Sequence, residues 1–256
     1  MKTRIIFLFL ALFASPLACQ VLAPSGTGTK ISACSQIVFD VKTLQSRQVP
    51  EHLLTTGERR GDEFDVNRYF NALTHVSMRA GYALDYVYRI DDLGGYPLLY
   101  ARPVDQVSYA SPSDIPEETE WSDFREYLEV EDTEQGYFEY VILDILADQF
   151  YLVWHAQYND THLVCNRQQL YDIVAQISSG DFGNALDPVH QAEARTLRNI
   201  LPTVRLDGDT AVVKVVTFTK WGGFYRLTYT ISRQAPHTIM DLQKENILPY
   251  DCGVAF

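Results

Sequence analysis

The chain is short of positive charge, of cysteine and of long apolar runs, and each shortage excludes something. Lysine and arginine number 21 against 33 aspartates and glutamates, a formal net charge of −12. Displacing counterions from nucleic acid takes clustered cations, so neither a nucleic-acid ligand nor an anionic membrane surface suits this balance. The four cysteines, Cys19, Cys34, Cys165 and Cys252, form no CxxC pair and are too scattered for a metal cluster. The longest apolar run, Ile5 to Phe13, has about half of the roughly 20 residues that a bilayer span needs. No GxSxG, HExxH, P-loop or post-strand GxGxxG occurs. Any enzymatic site would therefore have to be assembled from residues distant in sequence, and no cofactor is implied.

What is present begins with that apolar run. Lys2 and Arg4 precede it and Ala14, Ser15, Pro16 and Ala18 follow it, the three-part layout of a secretory leader over residues 1–19. Cys19 is a candidate lipid-attachment point; with Pro16 three residues before it, the alternative is ordinary cleavage nearby. Residues 20–32 are small, polar and glycine-containing, as a flexible tether would be. The expected location is outside the cytoplasm: periplasm, cell envelope or extracellular space. In an oxidising compartment distant cysteines are first read as disulfide partners. Cys165 with Cys252 is the expected bridge, because both lie in the better-patterned half and a tail needs anchoring.

Downstream, Ile37, Val38, Phe39 and Val41 suggest a short strand, and GERRGDE (57–63) a loop. Asp65, followed by Val66, Tyr69, Phe70, Leu73 and Val76, predicts a capped amphipathic helix. Residues 82–90 and 96–104 flank an Asp/Gly turn and predict a hairpin, its second strand at an edge or short because of Pro97 and Pro103. Residues 137–146 and 150–158 read as a second hairpin. Asn166 and Asp187 each cap a predicted helix, and 203–243 reads as an antiparallel meander with 210–219 as a central strand. The abundant tyrosines suit half-buried strands whose hydroxyls reach water. The expected fold is α+β, a mainly antiparallel sheet of hairpins and a C-terminal meander packed with three or four helices. It forms one globular region over 33–256, or two subdomains, 33–110 and 135–256, joined by an acidic segment 111–134. From Asp114 to Glu134 ten carboxylates face Arg125 alone; a short helix capped by Thr119 with a solvated acidic face accounts for them.

Two groups of residues carry candidate chemistry. His155, Asp160 and His162 could converge at one sheet end to relay a proton or hold a metal, against the plainer reading of a polar turn. Lys220, Trp221, Tyr225 and Arg226, around two turn glycines, could present a stacking surface to a ring ligand, against a turn whose tryptophan folds back. DGD (207–209) reads as a hairpin turn, His190 and Glu193 as a helix-surface pair, and Asn159-Asp160-Thr161 matches an N-glycosylation sequon. The composite expectation is an exported, non-catalytic module binding a small ligand, glycan or envelope protein. The alternative is an exported hydrolase using His155, Asp160 and His162.

Overall fold

The computed structural model describes residues 28–45, 48–116, 123–154 and 160–253. Residues 1–19, read above as a secretory leader with Cys19 at its end, and His155 lie outside them. The fold is α+β. Its larger sheet runs in the order β1 (Thr29–Lys30), β8 (Thr203–Asp207), β9 (Thr210–Thr219), β10 (Gly223–Ser232), β11 (Ile239–Leu248), with β7 (His162–Val164) also paired to β9. β9 is central, as its two-sided bulk predicts: β10 matches it along its length, while β8 and β7 lie end to end on its other edge. A second sheet joins β3 (Tyr82–Asp91), β4 (Gly94–Pro103) and β6 (Val153–Trp154); a third pairs β2 (Val76–Met78) with β5 (Leu128–Val130). The β3–β4 hairpin forms as predicted, closing Asp91 on Gly94, but β4 is a full ten-residue strand lying between β3 and β6, and among the described residues it pairs with β6 at Gly94 and Gly95, away from Pro97 and Pro103.

Four segments differ from their predicted form. Residues 137–146 are not a strand but part of helix α3 (Glu134–Leu146), capped by Thr133, whose side chain accepts from the Gly136 amide. Nine of its residues are buried, so no polar stripe marks a helical period. Cys34, Ile37, Val38 and Val41 are the buried face of helix α1 (Cys34–Leu44), at a spacing of three and four, in place of the expected strand. The Asp65 cap is real, but it opens only a 3-10 helix, Val66–Asn71. There the Asn67 amide pairs both ways with the Leu84 backbone, at 2.9 and 3.0 Å, and ties the turn to β3. Asp123–Tyr127 is likewise a short 3-10 helix before β5, and Thr119 lies outside the described residues. Helix α2 (Glu51–Thr56) precedes the 57–63 loop. Helices α4 (Arg167–Ser179) and α5 (Pro188–Thr196) form as predicted, with Asn166 accepting from Gln169 and Asp187 from Val189 and His190.

The principal core draws on residues from Ile31 to Ile231. Ala211, Val213 and Val215 of β9 and Leu227, Tyr229 and Ile231 of β10 meet Phe138, Val141 and Ile142 of α3 there. On the opposite face of the larger sheet, Val216, Phe218 and Phe224 pack with Leu170, Val174 and Ile177 of α4 and Ala194 of α5. The tyrosines depart from expectation. Tyr69, Tyr86, Tyr88, Tyr100, Tyr137, Tyr140 and Tyr229 are fully buried, and burial raises the pKa of each above the usual phenol value. Most hydroxyls find protein acceptors instead of water: Tyr69 donates to Ala147 O, Tyr88 to Tyr151 O and Tyr140 to His237 O. Among the described residues no helix is long and apolar enough to cross a membrane.

The disulfide joins Cys34 to Cys165, not Cys165 to Cys252. It fastens the start of α1 to the residue after β7. Cys252 is a buried free thiol, and the tail is held by backbone bonds. Asn184 N donates to Cys252 O at 3.0 Å, Cys252 N to Lys220 O at 3.2 Å and Gly222 N to Tyr250 O at 2.8 Å. Two glycines permit this approach: a Cβ on Gly183 (φ +122°) would sit 2.1 Å from Cys252 O, and one on Gly223 (φ +88°) 2.2 Å from Leu248 O. Gly183→Ala is therefore expected to release the tail. Maleimide labelling of Cys252 in the native protein checks this. We expect it to accelerate at least about tenfold, the ratio given by about 1.4 kcal/mol of lost docking energy.

Candidate functional site

The three residues proposed for proton or metal chemistry are only partly testable by position, His155 being outside the described chain. Asp160 and His162 do come together, with His162 Nε2 3.6 Å from Asp160 Oδ2. A third group, which sequence reasoning missed, shares the carboxylate: Lys42 of α1 lies 3.6 Å from Asp160 Oδ1 and donates to Thr161 O at 3.1 Å. A cation on the carboxylate and a donor on the adjacent carbonyl tie α1 to the start of β7, close in sequence to the Cys165 end of the disulfide. These contacts fasten the two segments together.

The Lys220, Trp221, Tyr225 and Arg226 tip is built upon by the protein itself. Lys220 Nζ stands 4.6 Å over the Phe182 ring, and Trp221 forms a bridge with Asp251 of the docked tail. Tyr225 is covered by Lys244 Nζ at 4.1 Å. Arg226 pairs with Glu245 at 2.7 Å and donates to Arg198 O at 3.2 Å. Tyr225 and Arg226 are successive strand residues, so they project from opposite faces and do not form one stacking surface. His190 contacts Asp187, its own helix cap, instead of Glu193. The 207–209 turn joins β8 to β9 as a hairpin.

The densest polar constellation comes from the loop that carried no predicted chemistry. His52, Glu63, Arg59, Asp85 and Arg102 form a chain of neighbours. His52 Nε2 lies 2.7 Å from Glu63 Oε1, Arg59 Nε 3.7 Å from Glu63 Oε2, Arg59 contacts Asp85, and Arg102 Nε reaches Asp85 Oδ2 at 2.7 Å. The Glu63 side chain has no solvent exposure and Asp85 is buried. Arg59 also donates to Tyr86 O on the outer edge of β3 and lies 3.9 Å over the Tyr86 ring. One guanidinium thus satisfies an edge carbonyl, covers an aromatic and joins two carboxylates. Burial alone would lift both acids; instead Glu63 is held below the ordinary carboxylate range by the Arg60 and Gly61 amides and His52, and Asp85 by Arg59, Ser108 and Arg102. Arg59 is raised: burial opposes this most strongly, but Asp85, Tyr86 and Glu63 together outweigh it. Both acids are therefore anions far below neutral pH.

A second carboxylate–imidazole pair sits on α3. Glu139, buried within the helix, accepts from His75 Nδ1 at 2.9 Å, from the His75 amide at 2.7 Å and from Gln135 Nε2 at 2.9 Å. Its partner nitrogen, Nε2, stands 3.7 Å from Glu131. The carboxylate fixes the ring orientation and so positions Nε2 at the surface. The signal that could have found it was Glu139 itself, an acid inside an otherwise apolar run.

One further surface is set by the sheet. On the face opposite α3, over the half of β8–β10 beyond α4 and α5, Arg205, Val212, Lys214, Arg226, Thr228 and Thr230 are all at least partly exposed among the described residues. Neighbouring β11 is exposed from Met240 to Asn246. Comparison with models of known protein families, with curated proteins and with solved structures finds no match to this chain.

Proposed function

We propose that this is an exported, non-catalytic α+β module that binds a carboxylate-bearing glycan. The observation that carries the reading is the partly exposed half-face of the larger sheet. In a chain of net charge −12 it presents Lys214, with the Thr228 and Thr230 hydroxyls and the Gln243 amide beside it, while Arg205 and Arg226 on the same face are paired with Asp207 and Glu245. Cations placed among hydroxyls and amides match a carboxylate among sugar hydroxyls. The surface differs from the one sequence reasoning favoured, because the aromatic tip at Lys220–Arg226 is engaged by the tail, β11 and Phe182. Export is supported by the leader-like N-terminus, and the Cys34–Cys165 bridge is compatible with it. Titration of the purified chain with uronic-acid oligosaccharides, followed by amide chemical shifts, tests the reading. Shifts at Lys214, Thr228 and Thr230 are expected, with at least about tenfold weaker binding for Lys214→Glu, equivalent to about 1.4 kcal/mol. Absence of shifts with both acidic and neutral oligosaccharides would overturn it.

A further inference from the structure

Ligand atoms of His52, Asp62 and Glu63 lie within 4.8 Å of one another. Each residue reaches this point for a separate reason. His52 projects from α2, Glu63 accepts from the Arg60 amide through Oε1 at 2.6 Å and from the Gly61 amide through Oε2 at 2.9 Å, and Asp62 is exposed. The anchored carboxylate keeps its orientation without an ion, which is the second-layer support that metal ligands ordinarily have. Arg59 approaches Glu63 only through Oε2 and directs its charge onto Asp85, leaving Oε1 beside His52. Arg59, 3.7 Å from Glu63 Oε2, lies 3.9 Å over the ring of Tyr86. The hydroxyl of Tyr86 is buried without a hydrogen-bond partner among the described residues. A buried hydroxyl without a partner is costly unless something outside the chain completes it, such as water held by an ion.

We propose that His52, Asp62 and Glu63 bind one divalent ion of the zinc class, with a fourth position open to water. One imidazole nitrogen and two carboxylates suit zinc better than calcium or magnesium, which take oxygen donors. Tetrahedral ligands at roughly 2.0–2.1 Å lie about 3.3 Å apart. The 2.7 Å contact between His52 Nε2 and Glu63 Oε1 therefore opens by a small turn of the His52 ring when the ion replaces the shared proton. Ligation at this point would clamp α2 to the 57–63 loop.

The test is titration of chelator-stripped full chain with zinc chloride against a chromogenic competitor. One equivalent is expected to bind tightly, with calcium and magnesium failing to displace it. Asp62→Asn and His52→Gln are each expected to weaken binding at least tenfold. Asp62 is exposed and has no packing role, so its variant folds even if changes at buried Glu63 do not. Zinc bound with equal affinity by Asp62→Asn and His52→Gln, or bound only weakly and at several equivalents, overturns the proposal.

Discussion

Replacing Cys34 and Cys165 together with serine is expected to cost about 3–5 kcal/mol. The bridge spans a sequence separation of 131 residues, so it removes much of the unfolded chain's freedom, and the effect on the unfolded state grows with the loop enclosed. Thermal or urea unfolding of the variant, compared with the parent with and without reductant, measures it. Cys252→Ala is the matched control. It removes a buried thiol with no covalent partner, so it should leave the non-reducing peptide map unchanged and cost about as much as a small cavity, about 1 kcal/mol. If Cys252→Ala abolished the cross-linked peptide, or carried the larger loss, the assigned pairing would be wrong.

Arg59→Met is expected to cost about 3–5 kcal/mol, because it takes their shared cation from two carboxylates withdrawn from solvent. Glu63 keeps its amides and His52, while Asp85 keeps Arg102 and the Tyr86 amide. The loss should therefore fall short of complete unfolding, and adding Asp85→Asn should recover part of it. The pH dependence has a definite sign. Folded-state pKa values of Glu63 and Asp85 lie below their ordinary values, so their contribution is fully present above about pH 4–5 and is lost as pH falls through the depressed values. In Arg59→Met the acid-induced loss should begin at higher pH, since the carboxylates protonate more readily without the guanidinium. Urea midpoints between pH 3 and 7 check both statements. A parallel pair of pH curves would show that Arg59 does not set these acids' ionisation.

The sequence revealed the meander, the first hairpin and both capped helices, α4 and α5, because in each a local signal agrees with the tertiary environment. Asn166 and Asp187 cap by side-chain contacts that depend on neighbours two or three residues away. Alternation in β9 and β10 reflects a sheet with different coverings on its two faces. α3 was illegible for the opposite reason. A helix buried on nearly every side loses its polar stripe, and its β-branched and aromatic residues then imitate a strand; only its length, with Thr133 and Glu134 at the start, separates the two.

The disulfide could not be read for a related reason. Proximity of Cys34 and Cys165 follows from α1 and β7 meeting across the core, not from spacing. The polar sites divide the same way. Asp160 and His162 lie two apart in sequence and their meeting is local. Arg59 and Asp85, His52 and Glu63, or His75 and Glu139 meet because a loop and two elements converge. Arg59 in particular looked like one member of a charged loop, and its role appears only once the exposed edge of β3 is in place.

The position of β9 bears on the order in which this chain can be assembled. Three strands, β7, β8 and β10, rest on its ten residues, and two of them are made before it. A chain delivered from its N-terminus therefore carries His162–Val164 and Thr203–Asp207 as bare ladder edges until residue 219 arrives, and a product ending short of Thr210 would offer those edges to other copies of itself. Premature termination in the last quarter should yield sticky fragments instead of a smaller working fold.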